Sequence, residues 1–168
     1  MYRVTYAALT CAAVLGAAGL AVPASAATSS SLEISSSGSL LDRSTIHAGP
    51  GNGTAEAVLE GGSFAADGAI DGSGQVTIPV KFSGAAPDSD VVHGSAVFAT
   101  ASRTFTLKFE ALHRPFSIPV FDGSWVLTDG TGAYTGMHGA GTVECHIQGE
   151  EDPTPIIDAV WSGSAHAA

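Results

Sequence analysis

Glu144 and His146 stand two residues apart with Cys145 between them, and His138 precedes them in the same glycine-rich stretch. A carboxylate beside an imidazole is a common pair for proton transfer, and with a second imidazole it could hold a metal ion. A cysteine could act as a nucleophile once its thiol lost its proton. The alternation around them favours a plainer reading. On a strand, Glu144 and His146 face one way and Val143, Cys145 and Ile147 face the other. The polar pair is then solvated surface, and Cys145 is an unreactive residue on a core face. His47, His93, His113 and His166 show no ligand spacing, so neither a metal centre nor a catalytic residue is expected.

Three other patterns invite chemistry and lose it on inspection. Gly130-Thr131-Gly132, followed by Gly136, resembles part of a dinucleotide loop, but a strand follows it, so a phosphate would meet no helix N-terminus. Ser124 and Ser162 lack the strand-turn-helix context of a nucleophile elbow. Asp67-Gly68 and Asp71-Gly72 lack the ligand spacing and closing glutamate of a calcium loop and read as turns. No cofactor is expected.

The ends and the charge narrow the class. Residues 1–26 have one early cation, Arg3, then an apolar Ala/Gly-rich run ending at Pro23 and a small-residue Ala24-Ser25-Ala26 site. This is the pattern of a cleaved signal peptide, and it makes secretion the expected localisation. Loss of Arg3 leaves five basic residues against sixteen acidic ones and moves the net charge from −10 to −11. Such a chain repels nucleic acid and anionic membrane alike. Cys11 leaves with the leader, so Cys145 has no partner for an internal disulfide.

The elements that must position these residues are strands. Gln75 to Phe82 alternates Val76, Ile78, Val80 and Phe82 against polar residues, with Pro79 arguing for a sheet edge or a bulge. Val91 to Thr100 reads as the next strand, and Thr104 to Phe109 alternates Phe105, Leu107 and Phe109 against Thr104, Thr106 and Lys108. Leu112 to Phe121 contains two prolines and reads as a long apolar loop that either folds over one end of the sheet as a lid on the core or forms part of a binding rim. Gly123 to Ile147 reads as a hairpin with glycines at 130, 132, 136, 139 and 141, and Ile156 to Trp161 as a last strand before a polar tail. Residues 27–53 read as a flexible Ser/Gly-rich lead-in with a short strand, Asn52-Gly53 as a turn, and residues 54–168 as the folded domain. No helical periodicity appears after the leader, and about eight strands with regular turn signals favour an all-β fold. An antiparallel eight-stranded barrel, of calycin-like form, is the expected closure because it leaves no edges.

The run from Trp125 through Gly130-Thr131-Gly132, Tyr134, Gly136 and Gly139-Ala140-Gly141 resembles the signature hairpin of the allene oxide cyclase and dirigent superfamily. Small secreted bacterial proteins resemble the same barrel. The likeness in layout covers residues 54–163, and in motif residues 123–143. It implies an eight-stranded barrel with a central cavity, and trimers by analogy with the plant members. No residue here matches the cyclases' catalytic carboxylate and water-holding asparagine, because Asn52 is the only asparagine. The functional expectation is therefore a secreted barrel that binds a small apolar molecule without catalysis, or an extracellular scaffold. An isomerase of dirigent or cyclase type and an inhibitor-like interaction module are the alternatives. The expected lining is Phe105, Leu107, Phe109, Phe116, Phe121, Trp125 and Tyr134, together with Phe82 and Phe98.

Overall fold

The computed structural model describes residues 28–49, 52–84, 91–114, 120–149 and 154–168. Eight antiparallel strands follow one another around a closed barrel: β1 (Ser30–Gly49), β2 (Asn52–Gly68), β3 (Gly72–Gly84), β4 (Val91–Ala99), β5 (Thr104–His113), β6 (Phe121–Gly130), β7 (Met137–Gln148) and β8 (Ile156–Ala167). Each strand pairs with its chain neighbours, and β1 pairs with β8 to close the ring, from Ser30↔Ala165 to Ser39↔Ile156. A single 3-10 turn, Gly132–Tyr134, lies between β6 and β7. The eight-stranded barrel and the Gly123-to-Ile147 hairpin expected from alternation are both present.

Alternation decides which side chains fill the barrel. The inward row is Leu32, Ile34 and Ser36 on β1; Phe64 and Ala66 on β2; Val76 and Ile78 on β3; Ala96 and Phe98 on β4; and Phe105 and Leu107 on β5, all buried. Trp125 and Leu127, Val143, and Ala159, Trp161 and Ala165 complete it from β6, β7 and β8. An eight-stranded barrel is just wide enough for its own side chains, so large residues need small ones opposite. Trp125 lies across from Gly141, and Gly141 from Gly163. A Cβ on Gly163 would stand 2.7 Å from Trp125 Cζ2, and one on Gly141 would stand 2.0 Å from the Ser162 carbonyl oxygen. The glycines are what admit the indole.

An aromatic stack fills the middle. Phe98 and Phe105 lie parallel with centroids 4.7 Å apart, and Phe64 meets both edge-on at 5.1 and 5.7 Å. Trp161 packs edge-on against Phe98 at 5.7 Å and against Phe109 at 5.3 Å. Pairs of this geometry contribute roughly 0.5–1.5 kcal/mol each beyond their buried area.

The two ends of the barrel differ. The β2–β3, β4–β5 and β6–β7 turns share one end, which Ile70 and Tyr134, both buried, close. Gly132 takes a φ of +61°, letting the 3-10 turn fold Tyr134 under the barrel, where its ring meets Phe105 edge-on at 5.6 Å. The Tyr134 hydroxyl donates to the Asp71 carbonyl at 3.3 Å, and the Arg103 guanidinium lies 5.5 Å from the ring centroid. The other four connections lie at the opposite end.

Several sequence expectations are corrected. The segment expected as a flexible lead-in is β1, one of the longest strands, because Leu32, Ile34 and Ser36 fill the barrel while the intervening residues face outward. Pro79 lies at no edge. It sits within a barrel strand, paired to Val58 of β2, and the register to β4 passes from Thr77↔Val97 to Val80↔Gly94 without a pair at the proline. Leu112 and Phe121 are strand residues, so the β5–β6 connection is shorter than the expected loop. The polar tail after Trp161 continues β8, paired on both sides by β7 and β1. The leader, residues 1–26, lies outside the described residues.

Candidate functional site

At the end opposite Tyr134 the side chains no longer meet, and a cavity of about 50 Å³ remains. Its wall is almost wholly apolar. β2 and β3 contribute Leu59, Ile78, Val80 and Phe82, and β4 to β6 contribute Val92, Phe109, Ala111 and Phe121; Cys145, Ile157, Ala159 and Trp161 come from β7 and β8. Val92, Ala111 and Phe121 form a small buried cluster of their own at this end, with Phe82, Phe109, Val120, Cys145 and Ile147 packed against it. The physical cause of the gap is side-chain size. Ala111 and Ala159 stand where neighbouring layers carry Leu107 and Trp161.

The chamber's rim is polar. The His113 ring stacks on Phe121 with centroids 4.8 Å apart. Arg114 forms an ion pair with Asp122 across the start of the β5–β6 connection, its Nη2 donating to Oδ2 at 3.3 Å, and the Arg114 amide donates to the Val120 carbonyl at 2.7 Å. This fastens the two strands beside the cavity mouth. Residues 115–119, including the expected lining residue Phe116, lie outside the described residues.

The expected lining set divides. Phe109 and Phe121 line the cavity, as does Phe82. Phe105, Leu107, Trp125 and Tyr134, with Phe98, are packed in the main core below it. They carry the barrel, and a ligand at this end does not reach them without displacing the aromatic stack. The Trp125 indole is already engaged, donating to the Thr142 carbonyl at 2.9 Å. Gly130, Gly132, Gly136, Gly139 and Gly141 have structural places in the β6–β7 turn and beside Trp125.

Ten of the thirteen lining residues, Ser36, Ile157 and Trp161 among them, fall outside the expected set. Their signal was available: Ser36 continues the inward parity of Leu32 and Ile34, and Trp161 that of Ala159. A serine-rich stretch hides an inward serine among outward ones. Trp161 Nε1 donates to Ser36 Oγ at 3.1 Å, so the only buried polar side chain among the described residues belongs to this wall.

Cys145 is half-buried as a residue, but its thiol sits among the apolar wall residues. Burial pushes that thiol up to about 12, because a thiolate there would lack solvation. The thiol therefore keeps its proton at neutral pH and is a weaker nucleophile than an exposed cysteine. Glu144 faces outward and is exposed, and His146 lies outward beside Asp158 in register. His138 is also outward, opposite His166 at 6.0 Å between ring centroids, at the Tyr134 end. Among the described residues, no three His, Cys, Asp or Glu side chains come together as a metal site would require.

The fold and this chamber define a class: a small closed up-and-down barrel, sealed at one end and carrying an apolar chamber at the other. No protein-family model, curated protein or solved structure matches the chain.

Proposed function

We propose that the protein is a secreted, non-enzymatic barrel that binds a small uncharged apolar molecule at the end opposite Tyr134. The single observation that carries this reading is the apolar chamber framed by Ile78, Val80, Val92, Phe109, Phe121 and Trp161. Hydrophobic burial drives entry into such a site, and shape sets an upper limit on the occupant. An apolar cavity of about 150 Å³ accepts benzene, so this chamber of about 50 Å³ takes a smaller group as it stands. A larger occupant displaces Phe82 or Phe109, the two half-buried aromatics of the wall.

Titration with an apolar fluorescent probe tests the reading, alongside native mass spectrometry of the purified protein for a copurified molecule. Saturable binding is expected, and Ala159→Val, whose two added methyl groups take up the chamber's volume, should weaken it at least tenfold while the barrel remains folded. Absence of saturable binding by any probe favours the second reading, a filled extracellular scaffold, to which the small cavity volume lends support.

A further inference from the structure

An apolar chamber would ordinarily be lined by carbon alone, yet this one contains a buried hydroxyl. Ser36 stands on β1 in the inward row after Leu32 and Ile34, and it is 7% exposed. Its oxygen accepts the Trp161 indole N–H at 3.1 Å. That satisfies the indole, whose N–H would otherwise be buried without a partner. A hydroxyl, however, has two lone pairs and one proton, and the indole uses only a lone pair. No acceptor for the Ser36 proton occurs among the described residues. The N–H also orients it: like partial charges repel, so the hydroxyl hydrogen turns away from the indole, and Ser36 is one of the residues that line the cavity. Besides Ser36 and the Trp161 indole, whose N–H is already given to Ser36, the one heteroatom-bearing side chain among the lining residues is Cys145, a weak donor.

We infer that Ser36, held by Trp161, is the chamber's hydrogen-bond donor and selects neutral apolar molecules bearing a carbonyl oxygen. The inference rests on the proposed binding function and names the ligand class for that site. A carboxylate is excluded on solvation grounds, since one neutral donor in an apolar wall does not replace the water an ion gives up. A pure hydrocarbon fits by shape but leaves the hydroxyl proton without an acceptor, whereas a ketone, aldehyde or ester supplies one. A site built to hydrogen-bond its ligand rejects the analogue that lacks the group.

Acetone and 2-methylpropene make a direct comparison, because both are smaller than benzene, have nearly the same shape and differ by C=O against C=CH₂. Titration of each into the purified protein, followed by the NMR shift of the Trp161 indole N–H, gives both affinities. The ketone should bind about tenfold more tightly, and Ser36→Ala should remove that preference while leaving the hydrocarbon's affinity within about twofold. Because Ser36→Ala strands the indole N–H, the double variant Ser36→Ala/Trp161→Phe removes both partners together and keeps the comparison available if the single variant fails to fold, with binding then followed by the methyl shifts of Ile78, Val80 and Val92 in the chamber wall. Equal binding of the two probes by the native protein, or a ketone preference that survives loss of the hydroxyl, overturns the role of Ser36 and leaves the apolar site standing. Saturable binding by neither probe overturns this inference together with the binding function on which it rests.

Discussion

Cys145 shows how one residue's chemistry is set by the face it occupies. On the outward face of β7 it would be an ordinary thiol; on the inward face it lines an apolar wall that raises its pKa from 9.0 to about 12. A thiol reagent at neutral pH should therefore label it at least an order of magnitude more slowly in native protein than in denaturant. Equal rates would place the sulfur in solvent. The same shift has a sign for stability. Between about pH 9 and 12 the unfolded chain loses this proton and the folded chain keeps it, so the contribution of Cys145 to stability falls as pH rises through that window and is absent as a pH effect below it. Urea titrations of native protein and Cys145→Ala across this range should diverge in that direction.

Among the strands, β5 and the β6–β7 hairpin carry most of the packing argument. Leu107 is fully buried in the aromatic layer, so Leu107→Ala should cost about 2–5 kcal/mol by loss of contact and an unfilled hole. A cost near zero in chemical denaturation would place this strand's inward row elsewhere. Gly141→Ala tests the close approach of β7 and β8. Its Cβ would meet the Ser162 carbonyl at 2.0 Å and the Gly163 Cα at 2.7 Å, both backbone atoms that cannot swing aside. Overpacking of this kind should destabilise by roughly 1–3 kcal/mol, measurable as a lower denaturation midpoint. The alternation of β5 was legible in the sequence because its two faces differ sharply in polarity. The close approach at Gly141 was not legible, since a glycine reads equally as turn, bulge or contact until its neighbour across the sheet is known.

For the whole molecule the decisive element is β1, which pairs with both β2 and β8. Deleting residues 28–37 should expose two long unpaired edges and remove Leu32, Ile34 and Ser36 from the interior, so the truncated protein should lose its cooperative thermal transition by circular dichroism. A melting temperature within a few degrees of the intact protein's would show that β1 is dispensable. Closure by this strand also fixes where function can lie. With the ring closed, Ile70 and Tyr134 seal one end, the aromatic stack fills the middle, and the chamber is left at the end where β1, β3, β5 and β7 finish.

The sequence by itself determined that the chain is all-β, that it closes as eight antiparallel strands, and that Phe98, Phe105, Leu107, Trp125 and Cys145 face inward. These follow from a period of two, which is local and survives in any window of a few residues. Tertiary structure alone decided that a serine-rich segment closes the ring, that Pro79 sits within the barrel, and that most of the expected lining residues are core. It also brought Ser36 to Trp161, 125 residues apart in sequence. Parity says which face a side chain takes, but its depth along the barrel depends on the register between strands, and register is set by pairings between distant parts of the chain. Depth separates a packed aromatic stack from a chamber wall, so only the closed barrel could show which inward residues a ligand would meet.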